Sequence, residues 1–181
     1  MEKCRLVFSG AGGQGVITAA IVLAEAAALH DDLNAIQTQS YGPEARGGAT
    51  RSDVIISDTT IHFPKVLQPN ILVCLTQEAY NKYYSIIRPG GLLILDSRFV
   101  TTNIKAAARQ IALPMYQTVM DTIGKPIVFN ICMLGAVIGI SDLIQPESII
   151  KVLQTRIPAA YLAINEQALR LGMGLGEPYA P

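Results

Sequence analysis

The stretch Cys4-Arg5-Leu6-Val7-Phe8-Ser9-Gly10-Ala11-Gly12-Gly13-Gln14-Gly15 decides the fold, because it leads from a buried strand into a glycine-rich turn. Its first six residues form the short apolar run that is typical of a strand covered on both faces. The turn is followed by Val16–Leu29, an apolar segment rich in alanine that predicts a helix. A strand, a glycine turn and a helix in this order predict an α/β domain.

The glycine turn at residues 10–15 satisfies the pattern G-x-G-x-x-G. Glycine permits a tight turn and close approach of a ligand, while the free amides and positive end of a helix favour an anion. A dinucleotide-binding oxidoreductase is therefore one hypothesis. It requires an acidic residue at the end of the second strand, but that strand ends Gln37-Thr38-Gln39-Ser40, and Asp31 and Asp32 precede it. The alternative is that the glycines only allow a close strand-to-helix turn.

The passage Arg88-Pro89-Gly90-Gly91-Leu92-Leu93-Ile94-Leu95-Asp96 is similar to the helix-to-strand passage of many S-adenosylmethionine-dependent methyltransferases. That fold also needs an acidic residue at the end of its second strand, so the same absence counts against it. A helix stop followed by a buried strand explains the Pro-Gly-Gly sequence by itself.

Strand and helix patterns alternate along the rest of the chain and predict a three-layer, Rossmann-like α/β domain with a mostly parallel sheet. The patterns predict further strands at 34–39, 50–57, 70–75, 92–96 and 113–116. Thr60–Phe63 is interpreted as a hairpin partner of 50–57, which gives an antiparallel excursion near residues 50–63. Helices are expected at 78–87, 128–140, 146–154 and 159–171, so the C-terminal third is helical. We expect a single domain over residues 1–181, with 172–181 as an extended tail.

Composition limits the classes of partner. Half of the 181 residues are hydrophobic and 15% are charged, against roughly 25% charged in an average soluble protein. This shortage of charge favours a surface that is partly covered by other chains, although a compact monomer rich in buried strands would also explain it. The 14 basic and 14 acidic residues cancel and form no block, which argues against a nucleic-acid partner.

The chain also lacks the signals of membrane insertion, export and metal binding. The uncharged apolar stretch Pro126–Ser141 is shorter than the ~20 residues that cross a bilayer. The N-terminus has no charged-then-apolar leader, so we expect a cytoplasmic protein without a membrane partner. Cys4, Cys74 and Cys132 are odd in number and far apart, so we expect reduced thiols and no metal site.

Residues able to perform catalysis are few. The two histidines, His30 and His62, lie beside a helix end and in the expected hairpin, and no Cys/His or Ser/His/Asp arrangement can be assembled from the sequence. The motifs GxSxG, HExxH and GK[ST] are absent. We therefore expect no catalytic residue in this chain.

A second dense loop, Ser40-Tyr41-Gly42-Pro43-Glu44-Ala45-Arg46-Gly47-Gly48, follows the predicted second strand. In an open α/β sheet, the carboxyl ends of the strands form the ligand-binding edge. Glu44 and Arg46 either contact a ligand there or pair with each other, and an exposed ion pair is worth only ~0–1 kcal/mol. The sequence leaves these two interpretations equally open.

The two loops together resemble the γ subunit family of 2-oxoacid:ferredoxin oxidoreductases, and the combination is more specific than either pattern alone. The resemblance extends through Ser52-Asp53-Val54, the Pro89-Gly90-Gly91 strand entry and the apolar helix near residues 130–139. It implies an enzyme that converts a 2-oxoacid and coenzyme A to acyl-CoA and carbon dioxide and passes electrons to ferredoxin. The resemblance favours 2-oxoglutarate, but the chain does not separate it from pyruvate, branched-chain oxoacids or indolepyruvate.

The resemblance implies that thiamine diphosphate and the iron–sulfur clusters belong to partner subunits, namely alpha, beta and a ferredoxin-like delta subunit. We expect the isolated chain to be inactive. The helices at 16–29 and 128–140 carry too few polar residues to leave a full face in water, so another helix of the domain or a partner should cover each of them, and we expect the isolated chain to self-associate. The resemblance also places the γ domain beside the thiamine site, where it helps to enclose coenzyme A. The residues expected to contact coenzyme A or a neighbouring subunit are Gly10, Gly12, Gly13, Gln14, Gly15, Ser40, Tyr41, Gly42, Glu44, Arg46 and Gly47.

Overall fold

Strands and helices follow one another largely as the sequence predicts. The structure, a computed structural model, describes residues 3–39, 48–102 and 105–181. The strands in this part of the chain are β1 (Cys4–Gly10), β2 (Asn34–Gln39), β3 (Thr50–Ser57), β4 (Ile71–Cys74), β5 (Leu92–Asp96) and β6 (Arg109–Leu113). The helices are α1 (Val16–His30), α2 (Gln77–Tyr83), α3 (Met115–Thr122), α4 (Phe129–Ser141), α5 (Pro146–Arg156) and α6 (Ala159–Gly176). Short 3-10 turns cover Tyr84–Ile86, Pro126–Val128 and Glu177–Tyr179.

The strands form one mixed sheet in the order β2-β3-β1-β4-β5-β6. The pairs β1–β4, β4–β5 and β5–β6 are parallel. Only β3 runs the other way, and it pairs antiparallel with β1 on one side and β2 on the other. The predicted α/β class, with a mostly parallel sheet and an antiparallel excursion, is confirmed.

Successive side chains of the central strands pack on opposite faces of the sheet. Leu6 and Phe8 of β1 join the larger apolar core beneath α1, α3, α4, α5 and α6. Val7, between them, joins the smaller core beneath α2. Both faces are therefore covered by helices, which is why the strands are apolar runs rather than alternating ones. The result is the three-layer arrangement that the sequence predicts.

Two local predictions are wrong. Thr60–Phe63 is not a hairpin partner, because β3 ends at Ser57 and both of its edges are already paired with β1 and β2. The last strand lies earlier than expected, at Arg109–Leu113, and the predicted strand at 113–116 instead leads into α3. Pro114 stands between the two elements, where a residue without an N–H ends the strand and precedes the first helical turn.

The extended tail predicted at 172–181 is also wrong. Helix α6 continues to Gly176 and is followed directly by the 3-10 turn at Glu177–Tyr179. Glycine disfavours a helix by about 1 kcal/mol relative to alanine, which is why three glycines between residues 172 and 176 suggested irregular structure. The helix persists because two of these glycines pack against α4.

Helices α4 and α6 touch backbone to backbone at glycines from both. A Cβ atom added to Gly172 would lie 1.9 Å from the carbonyl oxygen of Cys132, and one added to Gly135 would lie 2.1 Å from that of Leu169. Real Cβ atoms do not approach so closely, so these positions admit only glycine at the present helix separation. This close approach brings a large apolar surface of the two helices together and offsets their low helix propensity.

The apolar helices are covered within the chain. Almost every residue of α4 is buried, and α6 lies along it. Helix α1 packs against β3 and α5, and Glu25 pairs with Arg156 across the α1–α5 contact. The outer faces of α1 and α4 are thus covered by other helices of the same chain. Self-association stays a prediction, but exposed apolar faces on these two helices no longer support it. Within the described ranges, no helix combines the length and apolarity that a membrane span requires.

The α4–α6 contact predicts opposite effects for two glycines of the same helix. Gly172→Ala places a methyl group inside the α4 backbone, and we expect a loss of about 2–4 kcal/mol in the free energy of unfolding. Gly174→Ala, where an added Cβ meets nothing within 4 Å, should gain about 0.5–1 kcal/mol from helix propensity. Urea unfolding of both variants measures the difference. Equal stabilities would contradict the backbone contact.

Candidate functional site

Both glycine-rich loops leave the sheet at the same edge. Strand β1 ends at Gly10 and β2 ends at Gln39. Across the antiparallel pairs, Gly10 lies opposite Thr50 and Gln39 lies opposite Ser52, so the described residues that flank the second loop adjoin the first. This is the carboxyl edge of the parallel strands, where open α/β sheets bind ligands. The predicted site residues of the second loop lie outside the described residues: Ser40, Tyr41, Gly42, Glu44, Arg46 and Gly47.

The glycine loop is held by contacts within itself. The Oε1 atom of Gln14 accepts a hydrogen bond of 2.7 Å from the backbone N–H of Ala11. Gly13 and Gly15 have φ angles of 84° and 72°, which only glycine adopts without strain, and Gly15 caps the start of α1. The Ala11 amide is therefore already satisfied. An anion at this helix end would use other amides or displace Gln14.

Gly12 differs from the other glycines of this loop. A Cβ at Gly10 would lie 2.5 Å from Oε1 of Gln14, and one at Gly15 would lie 2.6 Å from Nδ2 of Asn130. Gly12 has no left-handed φ, is exposed, and an added Cβ there would meet nothing within 4 Å. The fold of this chain therefore requires glycine at Gly13 and Gly15, a side chain at Gly10 would displace Gln14, and Gly12 has no such constraint.

Asn130 connects the loop to α4. Its Nδ2 atom donates a hydrogen bond of 3.2 Å to the carbonyl oxygen of Gly15, and the residue is buried in the first turn of the helix. This bond joins residues 115 positions apart and fixes the start of α4 against the start of α1. The sequence showed Asn130 only as an interruption in an apolar helix, which was the available sign of a specific buried contact.

A cavity of about 450 Å³ opens beside the glycine loop, between the first turns of α4 and α6. Gly13 and Gln14 form one wall, Asn130 and Asn165 contribute amide groups, and Ile127 and Tyr161 border the space. No charged side chain of the described residues lines it. The cavity therefore suits a neutral group with both apolar and hydrogen-bonding parts.

The two aspartates that precede β2 lie away from this edge. The carboxylate of Asp31 accepts a 2.9 Å hydrogen bond from the backbone N–H of Gln145 and another from the Ser148 hydroxyl, so it anchors the start of α5. It lies at the amino end of β2, while the glycine loop lies at the carboxyl edge. Asp31 and its neighbour Asp32 both precede β2 at this end of the sheet, so neither can hold the ribose of a nucleotide bound at the loop.

Comparison with known proteins identifies the family. Residues 5–175 match the family described as pyruvate ferredoxin/flavodoxin oxidoreductase. The chain belongs to this family. Subunit KorC of 2-oxoglutarate synthase from Methanocaldococcus jannaschii is 46% identical over 152 residues, which cover 83% of this chain and 81% of that protein.

Solved structures agree with this membership. The γ subunit of a keto/oxoacid ferredoxin oxidoreductase from Geobacter sulfurreducens is 39% identical, with a TM-score of 0.86 over 96% of this chain and 98% of the other. A 2-oxoglutarate:ferredoxin oxidoreductase from Magnetococcus marinus shares the fold at 22% identity, with a TM-score of 0.88. The match covers 98% of this chain but 32% of that longer one. The expected membership in the γ subunit family is confirmed.

The described residues of this family member hold no evident nucleophile. Burial raises the pKa of Cys74 and Cys132 to about 12, with Asp96 raising that of Cys132 further, and burial raises the pKa of Cys4 to about 11. These thiols therefore stay protonated near neutral pH. Among the described residues, no three His, Cys, Asp or Glu side chains are grouped closely enough to hold a metal ion. His30 and His62 are both exposed.

Asp96 is a buried carboxylate that the sequence-based search for site residues missed. It ends β5, and its two oxygens accept hydrogen bonds from the backbone N–H groups of Arg98 at 2.9 Å and Tyr116 at 2.8 Å. It thereby holds the first turn of α3 against the carboxyl edge of the sheet. Burial raises the pKa of Asp96, and the backbone hydrogen bonds and Arg98 oppose the increase.

The contacts of Asp96 predict a pH-dependent effect of substitution. Asp96→Asn should lower the free energy of unfolding by about 1–3 kcal/mol near pH 4, because the amide nitrogen that replaces one carboxyl oxygen cannot accept the backbone N–H hydrogen bond. Since the folded-state pKa is raised, the native state binds this proton more tightly than the unfolded chain does. The contribution of Asp96 to the free energy of unfolding is therefore greatest below the unfolded-state pKa of about 3.9, and it is lost as pH rises through the folded-state pKa.

The stability difference between wild type and Asp96→Asn should therefore narrow as pH rises from about 4. Urea unfolding at several pH values measures this difference. Asp121→Asn, which alters an exposed carboxylate of α3, is the matched control for the general effect of charge. A difference that widens with pH would contradict the raised pKa.

Proposed function

We propose that this chain is the γ subunit of a 2-oxoglutarate:ferredoxin oxidoreductase. The enzyme would convert 2-oxoglutarate and coenzyme A to succinyl-CoA and carbon dioxide and pass two electrons to ferredoxin. Support for this substrate comes from the 46% identity to a 2-oxoglutarate synthase subunit. The Magnetococcus marinus structure of the same fold contains 2-oxoglutarate, coenzyme A and succinyl-CoA.

The proposal assigns the redox chemistry to other chains. Thiamine diphosphate and the iron–sulfur clusters would be held by the alpha, beta and ferredoxin-like delta subunits, and the complex would operate in the cytoplasm. An iron–sulfur cluster needs a group of thiolates, whereas the three cysteines here are separate and protonated. The role proposed for this chain is to bind and orient, and the isolated chain is expected to be inactive.

The observation that carries the proposal is the unused space at Gly12, beside a neutral cavity at the ligand-binding edge. Since the fold does not require glycine there, we infer that Gly12 lets an external group approach the backbone. A group from coenzyme A or from a neighbouring subunit would meet the exposed amides of this loop. The cavity next to it continues the same surface toward α4 and α6.

The chemistry of the cavity favours one part of coenzyme A. Its pantetheine arm is neutral and carries amides between short apolar segments, which fits a lining of apolar groups and the amides of Asn130 and Asn165. The phosphates need cations, and none lines the cavity among the described residues. We propose that Arg46 of the second loop supplies a charge-assisted contact to a phosphate.

The first test adds a methyl group at Gly12, where it would contact a ligand or a partner subunit but no atom of this chain within 4 Å. Gly12→Ala should leave the stability of the isolated chain within about 0.5 kcal/mol of wild type. In the reconstituted enzyme it should raise the KM for coenzyme A by about tenfold, equivalent to ~1.4 kcal/mol of lost binding. Steady-state kinetics at saturating 2-oxoglutarate measure this, with Gly174→Ala as the control. An unchanged KM together with weaker assembly would assign Gly12 to a subunit contact instead.

The second test concerns Arg46. Arg46→Ala should remove a charge-assisted hydrogen bond worth about 1.5–3 kcal/mol, or roughly ten- to a hundredfold in coenzyme A affinity. Arg46→Lys should recover only part of this loss, because lysine keeps the charge but not the planar fork. Coenzyme A dependence and complex stability are compared for the three proteins. Identical values in all three would return Arg46 to the simpler interpretation, a surface partner of Glu44.

A further inference from the structure

A basic and apolar surface patch lies at the sheet edge opposite the glycine loop. It surrounds a groove of about 540 Å³ lined by Arg5, Phe63, Lys65, Leu67, Gln68 and Arg88. Arg5 is at the start of β1, and Arg88 precedes β5, so both lie at the amino edge of the parallel strands. We call these six residues the amino-edge patch.

The apolar members of the patch are displayed outward by an anchored segment. Phe63 is 55% exposed and Leu67 is 69% exposed, although Val66 between them is buried. The carbonyl oxygen of Val66 accepts a 2.7 Å hydrogen bond from Arg51, which is itself paired with Asp53.

The end of the same segment is fastened to the sheet. The Asn70 N–H donates to the carbonyl oxygen of Arg5 at 2.7 Å, and the Asn70 side chain accepts from the Arg5 N–H at 3.0 Å. The Arg88 N–H donates to the carbonyl oxygen of Pro69 at 3.2 Å. Leu67 therefore lies between two fixed points, and its exposure is built into the backbone path rather than produced by a frayed loop.

The cationic members of the patch have no acidic partner among the described residues. Arg5, Lys65 and Arg88 form no ion pair with any acidic side chain in residues 3–39, 48–102 and 105–181. Two cations outside the patch are used internally, since Arg51 pairs with Asp53 and Arg156 pairs with Glu25. Three unneutralised positive charges around two exposed apolar side chains form a surface that is complementary to an acidic one with apolar groups at its centre.

We propose that the amino-edge patch docks an acidic surface of another protein subunit of the same oxidoreductase, one that inserts apolar side chains between Phe63 and Leu67. The two apolar side chains supply the buried centre of the contact, and the three cations supply its rim. The inference rests on the chain being part of a multi-subunit enzyme and not on which ligand the glycine loop binds.

The charge count favours a protein over other polyanions. Recognition of anionic lipid typically uses clusters of 4–8 Lys or Arg, and duplex nucleic acid commonly uses 6–10 phosphate contacts. The patch offers three cations, and the whole chain has a formal charge of +0. A small free anion would leave Phe63 and Leu67 in water. A protein surface can pair with the three cations and also cover the two exposed apolar side chains.

The test measures binding of the full chain to the remaining subunits of its own enzyme. The charge variant is Lys65→Glu with Arg88→Glu, and the apolar variant is Phe63→Ser with Leu67→Ser. Each should weaken association by about tenfold or more, because rim charges and buried apolar anchors both contribute to protein contacts. In addition, raising salt should weaken wild-type association more steeply than that of the charge variant.

Two controls match the variants in exposure but lie outside the patch. Leu29→Ser changes a side chain that is 68% exposed at the end of α1, and Lys151→Glu changes an exposed cation of α5. Both should bind the other subunits within about twofold of wild type, and all variants should unfold within about 1 kcal/mol of wild type.

Several outcomes would overturn the proposal. The proposal is wrong if both patch variants bind the other subunits as tightly as wild type does. It is also wrong if the patch variants and the controls lose the same amount of affinity. Patch-dependent binding to anionic phosphatidylserine vesicles or duplex DNA, without any effect on subunit association, would assign the patch to another class of partner. Gly12→Ala tests the opposite edge of the sheet. Failure of the coenzyme A proposal would therefore not change how the binding results for the amino-edge patch are interpreted.

Discussion

The backbone contact between α4 and α6 is the constraint on which the rest of the structure depends. Glycines 135 and 172 allow the two helices to approach so closely that a single methyl group would overlap a carbonyl oxygen of the partner. This contact covers the most apolar helix in the chain and thereby sets its position above the sheet. Because Asn130 at the start of α4 bonds to Gly15, the same contact positions the glycine loop. Packing in the core and geometry at the site are therefore parts of one arrangement.

The sequence predicts the fold class because most of its determinants are local. Residues 4–9, 50–57 and 92–96 carry apolar or β-branched runs, and glycines mark the ends of several elements. The predictions of a hairpin at 60–63 and an extended tail at 172–181 are wrong because their determinants are not local. Which edges of β3 are free, and whether glycines face another helix, are properties of the assembled molecule. Local patterns do not contain that information.

The candidate site was predictable in its location but not in its internal roles. The position of G-x-G-x-x-G after a strand indicated the carboxyl edge of the sheet. Only the three-dimensional structure separates Gly12, which has free space around it, from Gly15, whose φ angle and contact with Asn130 demand glycine. The contribution of Asn165 was not foreseeable, because α6 follows the glycine loop much later in the chain and only the fold brings Asn165 beside Gly15. The roles proposed for residues 40–47 rest on the sequence, because these residues lie outside the described ranges.

Burial of α4 by α6 also has a consequence for synthesis on the ribosome. Helix α4 is complete at Ser141, but the chain that covers it extends to Gly176. At about 5–20 residues per second, the intervening segment takes roughly 2 to 7 s to make. Until that segment is made, α4 cannot form its contact with α6. A nascent chain that ends between Ser141 and Gly176 therefore depends on chaperones that shield apolar segments.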